Sequence, residues 1–192
     1  MEQGLDNGDD GGTAQNGVLE SGEVDYTTTY CSNFVVKKVA DISSGAGNGN
    51  PNSFIVMGTR LYFEATDGIT GYELWAHETT NGSTWQVADI KSGSSSGMAN
   101  GMVVMGTRLY FEADDGIDGS ELWAHETTND STWQVADINS GTGSSYVNGF
   151  VVMGTRLYFE AFEGNVFPDT GRELWAHETT NDSTWLVADI YS

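Results

Sequence analysis

Residues 58–78 of this 192-residue chain read GTRLYFEATDGITGYELWAHE, and the fold follows from the way this stretch recurs. The block GTRLYFEA begins at Gly58, Gly106 and Gly154, and the block ELWAHE begins at Glu73, Glu121 and Glu173. The period is 48 residues, and the third copy carries four additional residues between the two blocks. A fixed period of this length indicates a repeat architecture in which each copy forms one supersecondary unit.

Within one copy, apolar residues alternate with a period of two. Leu61, Phe63 and Ala65 share one face of a predicted strand, while Tyr62 and Glu64 share the other. The first copy predicts four strands, at residues 54–57, 60–65, 73–78 and 84–90. The two-residue loop Gly58-Thr59 suits a type II′ hairpin, and all connections are short. The strands are therefore expected to form an antiparallel meander.

Both faces of this meander carry apolar side chains, because Leu74 and Ala76 lie opposite Trp75 on the third strand. A 48-residue sheet cannot bury both faces alone, so neighbouring copies must cover them. We predict an all-β, propeller-like array of four-stranded antiparallel blades, with repeats at about 53–100, 101–148 and 149–192. A linear β-solenoid is the alternative, but its strands pair in parallel, which the hairpin turns disfavour.

The sequence VADI occurs four times, once more than the full repeats. Residues 35–42 are therefore interpreted as the last strand of a preceding unit, one extra N-terminal strand. Three blades and one strand cannot close a ring, since known propellers have about four to eight blades. We expect either a piece of a longer propeller or self-association of chains, for example two sets of three blades.

The charge balance disfavours anionic partners. The chain has 28 acidic and 7 basic residues and a net charge of -21, so nucleic acids and anionic lipids are disfavoured. Its apolar runs are too short to span a bilayer, which predicts no membrane insertion. Such an acidic surface is well suited to saline surroundings, where salt screens its self-repulsion.

Residues 1–31 form an acidic, Gly- and Asp-rich segment that precedes the repeat domain at 32–192. Residues 16–23, NGVLESGE, match the second half of an EF-hand-type loop, with a glycine followed six residues later by glutamate. The first half does not match, because Gly12 and Ala14 stand where carboxylates belong. The segment is either calcium-loop-like or an ordinary, partly disordered acidic turn. The candidate calcium ligands are Asp9, Asp10, Asn16, Glu20 and Glu23.

The order GTRLYFEA, DGxxG, ELW resembles the ELW-type tandem repeats of large secreted bacterial and archaeal proteins, which read approximately GTLYFxAxDGxxGxELW. The match covers residues 53–192, although HETTNGSTW replaces the usual shorter turn in a manner associated with marine organisms. The resemblance implies a propeller-type adhesion module, secreted or on the cell surface, and assigns no activity. The N-terminal segment is similar to modules ending in a cysteine that pairs with an earlier one. Cys31 is the only cysteine here, so a lone thiol is the alternative.

Residues repeated in every copy are interpreted as structural. His77, His125 and His177 recur with identical neighbours, whereas a catalytic histidine usually occurs once with distinct partners. The repeated tryptophans could form a glycan platform, but packing between blades is the expected use. Arg60 is expected to pair with Glu64 on the same strand face, as are the equivalent residues of the other copies. The sequence contains no nucleophile-and-base motif, so a non-enzymatic protein is predicted.

Differences between copies are better candidates for binding. The insertion in the third copy, GNVFPD at 164–169, places apolar residues in a loop that is otherwise polar, which suggests a contact site. The candidate ligand-binding residues are Asn165, Phe167, Asp169 and Arg172, unless Phe167 packs on its own blade. The expected ligand is an extracellular glycan or protein. The alternative function is a fragment of a propeller-fold carbohydrate-active enzyme or lectin.

Three N-x-S sequences place Asn81, Asn129 and Asn181 at the same predicted hairpin turn. Each is a candidate N-glycosylation site in an exported protein. The preference of tight turns for Asn-Gly and Asn-Asp explains the same residues without a glycan.

Overall fold

The structure is a computed structural model that describes residues 37–164 and 171–190. In these ranges the regular secondary structure consists of β-strands alone. The strands form three four-stranded antiparallel sheets, one from each repeat, and within each sheet they lie side by side in chain order. All three belong to the unit Val39–Ser192. The predictions of an all-β class and of a four-stranded meander in each repeat are confirmed.

The strand bounds agree closely among the repeats. The first sheet contains β1 Asn52–Met57, β2 Arg60–Thr66, β3 Tyr72–Glu78 and β4 Thr84–Ala88. The second contains β5 Asn100–Met105, β6 Arg108–Asp114, β7 Ser120–Glu126 and β8 Ser131–Ala136. The third contains β9 Asn148–Met153, β10 Arg156–Phe162, β11 Arg172–Glu178 and β12 Ser183–Ala188.

Two turns of the first repeat show why the sequence folds this way. Gly58 has a φ of 61°, and its equivalents in the other repeats have 63°, as the first position of a type II′ hairpin requires. In the next turn, the Asp67 carboxylate accepts backbone hydrogen bonds from Ile69 at 2.7 Å and Thr70 at 2.9 Å. Local side-chain and glycine chemistry therefore fixes the connections between strands.

Neighbouring repeats cover each other's faces, as predicted. Tyr62, Leu74 and Ala76 of the first repeat are fully buried in one cluster with Leu109, Phe111 and Ala113 of the second. The second and third repeats meet in the same way, through Tyr110, Leu122, Ala124, Leu157, Phe159 and Ala161. The first strands of successive sheets also lie close together, β1 beside β5 and β5 beside β9. Within the described residues the three sheets form an open array.

The predicted extra strand at 35–42 is wrong for residues 37–42, which form no strand. A strand needs a neighbour with which to exchange backbone hydrogen bonds, and no adjacent strand is present among the described residues. Ile42 instead packs against Phe63, Ala65 and Trp75 of the first repeat. Ile42 thus contacts the first repeat through side-chain packing and not through strand pairing.

Candidate interaction surfaces

A polar and aromatic contact recurs where successive repeats meet. Arg60 Nη1 donates to Asp130 Oδ1 at 3.0 Å, and the Tyr62 ring lies 5.5 Å from the His125 ring. Between the second and third repeats, Arg108 Nη1 lies 2.6 Å from Asp182 Oδ1, and the rings of Tyr110 and His177 are 5.4 Å apart. We term this arrangement the repeat junction: the Arg and Tyr of one repeat meet the His and Asp of the next.

The predicted pairing of Arg60 with Glu64 is wrong, because Arg60 pairs with a glutamate on the neighbouring strand. Arg60 Nε lies 3.5 Å from Glu78, its cross-strand partner in the sheet. Glu64 is four residues along the same strand, about 13 Å away at 3.3 Å per residue. The same cross-strand pairs form in the other repeats, Arg108 with Glu126 and Arg156 with Glu178.

The histidines are used in packing. His125 Nδ1 is 3.0 Å from Thr132 Oγ1, and the His125 side chain is fully buried beneath Tyr62. Burial lowers the pKa of His125 and also that of His177. These histidines are therefore neutral at neutral pH and serve the contact between repeats.

The glutamate of the ELW block is a residue whose role sequence reasoning missed. Glu73 is fully buried, and its two carboxylate oxygens accept backbone hydrogen bonds from Ile90 and Gly97, each at 2.8 Å. Burial raises the pKa of Glu73 to about 7, against the opposing effect of these backbone donors. Glu121 binds the backbone of Ile138 and Ser145 in the same way, and its pKa is also about 7.

These glutamates hold the linker that follows their own repeat, because their backbone donors all precede the first strand of the next one. The sequence contains a signal of this role, because a glutamate precedes the apolar Leu74 position in every copy. A carboxylate buried at such a place needs hydrogen-bond donors. Without the linker conformation, however, its donors could not be named.

The first repeat exposes a face that no other repeat covers in the described part of the chain. Phe54 is 57% exposed and Val56 is 68% exposed. Beside them lies a cavity of about 260 Å³, lined almost wholly by apolar atoms. Its walls include Phe54, Leu61, Phe63, His77 and Thr84, together with the segment around Ile42. We term this surface the first-repeat face.

The third repeat exposes the face on its other side, the side on which a following repeat would pack. Val151, Met153 and Ile190 are between 60% and 74% exposed. A cavity of about 340 Å³ opens there and is lined by residues including Val151, Tyr158, Glu160, Arg172, Leu174 and Ile190. Tyr158 is only partly buried, whereas its equivalents Tyr62 and Tyr110 are fully buried. We term this surface the third-repeat face.

Of the predicted ligand-binding residues, Arg172 lies at the rim of this cavity. Its guanidinium donates to Glu160 Oε1 at 2.6 Å and to the backbone carbonyl of Tyr146 at 3.1 Å, and it lies 5.6 Å from the centre of the Tyr146 ring. Asn165, Phe167 and Asp169 lie outside the described residues. The structure therefore joins Arg172 to two partners that were not predicted.

The three candidate glycosylation sites are exposed and lie at the same turn, between the third and fourth strands. In each, the Asn side-chain carbonyl accepts hydrogen bonds from the backbone N–H and the hydroxyl of the serine two residues later. The intervening residue has positive φ, 73° at Gly82, 54° at Asp130 and 49° at Asp182. Asn81, Asn129 and Asn181 thus have a structural use in the turn, and their modification stays a prediction.

The calcium prediction concerns residues outside the described ranges. Asp9, Asp10, Asn16, Glu20, Glu23 and also Cys31 all lie in the segment that the structure does not describe. Within 37–164 and 171–190, no group of three or more His, Cys, Asp or Glu side chains could hold a metal ion. The same ranges contain no helix that is long and apolar enough to cross a membrane.

Comparisons with known proteins identify no family. No family model and no curated protein matches the chain. The computationally designed Ika8 protein is similar over 72% of this chain and 36% of that chain, with 9% identity and a TM-score of 0.45. A puromycin hydrolase mutant complexed with PGG is similar over 67% of this chain and 19% of that chain, with 14% identity and a TM-score of 0.48. The chain spans well under half of either protein, and the resemblance to ELW-type repeats stays a prediction.

Proposed function

We propose that this chain is a non-enzymatic, extracellular or cell-surface binding module of the ELW-repeat type. The main support for this proposal is that the recurring polar side chains have structural roles. Arg60 and His125 lie in the contact between the first two repeats, their equivalents Arg108 and His177 lie in the next contact, and Glu73 holds the linker between repeats. The two faces described above instead present exposed apolar side chains beside cavities, a common property of protein contact sites.

A propeller-like arrangement is part of this proposal. It is supported by three sheets with the same strand order whose first strands lie side by side. In a propeller, successive four-stranded sheets pack face to face around an axis in this order. Further repeats, from a longer chain or from another molecule, would complete the ring.

The charged groups of the third-repeat cavity favour binding over catalysis. Glu160 is paired with Arg172, and Glu173 Oε2 accepts the backbone N–H of Ile190 at 2.7 Å. A general acid or base must be within reach of the substrate proton that it transfers. Here both carboxylates are engaged by the protein itself.

A lectin or a fragment of a carbohydrate-active enzyme is the second candidate. It is favoured by the neighbourhood of Arg172, where an exposed aromatic ring, Tyr146, adjoins a charged pair at the rim of a cavity. Aromatic rings with a few fixed polar groups are the usual lining of small-molecule sites. Ligand binding without catalysis is sufficient to explain this arrangement.

Turnover and glycan binding separate the two candidates. We would incubate the purified chain with a panel of polysaccharides and measure new reducing ends, and screen the same protein on a glycan array. The proposed function predicts no turnover, and reproducible turnover would overturn it. Glycan binding abolished by Arg172→Ala would establish the lectin alternative. Arg156→Ala is the matched control, because Arg156 is also half-exposed but does not line the cavity.

The proposed location needs its own test. Antibodies against the repeat domain, applied to intact cells and to the culture medium of the native host, should detect the protein outside the cell. Detection only after lysis would contradict an extracellular location.

A further inference from the structure

The two exposed faces carry the two halves of a repeat junction. The third-repeat face presents Arg156 and Tyr158, the equivalents of Arg60 and Tyr62, and no following repeat lies against them within the described residues. The first-repeat face presents His77, the equivalent of His125, and no preceding Tyr covers it among the described residues. Each internal junction is made by the contact of two such halves.

Both halves already have the conformation found in the internal junctions. The Arg156 guanidinium lies 5.7 Å from the centre of the Trp185 ring, and the internal equivalents lie at 5.4 Å from Trp85 and Trp133. On the other half, His77 Nδ1 is 2.8 Å from Thr84 Oγ1, against 3.0 Å in the other repeats. The side chains of Arg156 and His77 therefore need little reorganisation for the two halves to meet.

The apolar surfaces also match. In the first internal junction, Ile55, Met57 and Leu74 join Tyr62 in a cluster with Leu109 and Phe111 of the next repeat. The equivalents of the first group on the third-repeat face are Val151, Met153 and Leu174, all exposed. The equivalents of the second group, Leu61 and Phe63, line the cavity beside His77.

We propose that the third-repeat face of one molecule docks on the first-repeat face of a second copy, with Tyr158 entering the cavity beside His77. This rests on the proposed function, because it names the partner of the binding surface. The contact is head-to-tail, so it generates a ring when the rotation closes and a filament when it does not. It continues the interface that already joins the three repeats.

Two features of the chain limit this association. Each internal junction contains an isoleucine from the end of the earlier repeat. Ile90 packs between the first and second repeats, and Ile138 packs between the second and third. On the first-repeat face the corresponding place is taken by Ile42 of the same molecule. Ile190 of an incoming copy must displace it, so residues 39–42 act as a competitor for the docking site.

The second limit is electrostatic. Asp130 and Asp182 bind the arginine of the preceding repeat, but the equivalent residue of the first repeat is Gly82. Arg156 of a docking copy therefore finds no carboxylate there. An aspartate is compatible with this position, because Asp130 and Asp182 also adopt positive φ, 54° and 49° against 73° at Gly82, and nothing lies within 4 Å of a Cβ built on Gly82.

Sedimentation velocity on the full chain, from low to high micromolar concentration, tests the proposal. It is run at moderate and at high salt, because the charge of -21 opposes association until it is screened. We expect reversible association of the wild type. Gly82→Asp should tighten it about two- to fivefold at moderate salt, with Gly82→Asn as the neutral control of similar shape. Ile42→Ala should also tighten it, because the competitor is weakened.

Tyr158→Ala should weaken association about tenfold or more, as expected for an aromatic anchor at the centre of an interface. Circular dichroism confirms that each variant is folded. The proposal is overturned if the wild type and Gly82→Asp stay monomeric at every concentration, or if association is insensitive to both Tyr158→Ala and Gly82→Asp. Its failure is distinct from failure of the proposed function, which is decided by turnover on polysaccharide.

Discussion

The Tyr62 ring of the first repeat lies 5.5 Å from the His125 ring of the second, and the Tyr62 hydroxyl lies 3.3 Å from Arg60 Nη1. The same side chain thus connects the apolar cluster between the repeats to the charged pair of Arg60 with Asp130. In the third repeat the equivalent Tyr158 is only partly buried. One position of the repeat therefore serves as core in two copies and as accessible surface in the third.

Replacing Tyr62 by alanine tests this difference. Tyr62→Ala should lower the free energy of unfolding by about 3–5 kcal/mol, because it removes a fully buried aromatic ring and leaves a cavity. Tyr158→Ala is the matched control and should cost much less, since its ring is already partly exposed. Urea denaturation followed by tryptophan fluorescence measures both. Equal losses in the two variants would mean that the third-repeat face is covered in solution.

The carboxyl of Glu73 gives stability a defined pH dependence. Its pKa is about 7 in the folded protein against an ordinary value of 4.5, so between these pH values the folded state binds a proton that the unfolded state releases. The stabilising effect of this protonation is fully present below pH 4.5 and is lost as the pH rises to about 7. Glu73→Gln cannot titrate.

Urea denaturation of wild type and Glu73→Gln across this pH range checks the sign. The free energy of unfolding of the wild type, relative to the variant, should rise as the pH falls from 7 to 4.5. Glu121→Gln should behave alike, since the pKa of Glu121 is raised to the same value. A constant difference between wild type and variant would contradict the proposed titration.

His125 has the opposite effect. Burial lowers its pKa below the ordinary 6.5, although Asp130 and Glu126 act to raise it. The unfolded state therefore binds a proton more readily, and stability is lost as the pH falls below 6.5. Thermal unfolding of wild type and His125→Gln at a series of pH values should show the wild type losing stability relative to the variant on acidification. A relative gain by the wild type would refute the assignment.

We predict N-glycosylation of the exposed turn asparagines in the exported protein. In a host that N-glycosylates, Asn81, Asn129 and Asn181 should carry glycans, because each lies in an N-x-S sequence at a solvent-exposed turn. Intact mass spectrometry of protein purified from the native host should show a mass above that of the polypeptide, and each Asn→Gln variant should lose one increment. An unmodified mass from exported protein would leave these residues with their turn-forming role alone.

Several elements of the fold follow from the sequence because their causes are local. The strand predicted at 60–65 is observed at Arg60–Thr66, and the strand predicted at 84–90 ends slightly earlier, at Ala88. Alternation of side chains and the turn chemistry of Gly58 depend only on residues close in sequence. The need for neighbouring repeats also followed, because Leu74 and Trp75 point to opposite faces.

The wrong and missing assignments involve partners that lie on another strand, on a linker or in another repeat. Arg60 was predicted to pair with Glu64, yet its partners are Glu78 and Asp130, the latter 70 residues away. The role of Glu73 is not predictable from its neighbours in sequence, because its hydrogen-bond donors lie on the linker to the next repeat. The Asp130 contact depends on how one sheet is placed on another, the Glu78 contact on strand register, and the contacts of Glu73 on the linker conformation.

Three features of the protein are predictable from residues close in the chain: it forms β-strands, four strands make each repeat, and the repeats must cover one another. Period-two alternation, turn glycines and the 48-residue spacing are sufficient for this, since they act within a repeat. Which side chains make the repeat junction depends instead on how the folded repeats pack against one another. Tyr62 and Tyr158 occupy the same place in identical GTRLYFEA blocks, and packing of a neighbouring sheet, which depends on position in the array, buries one and leaves the other accessible.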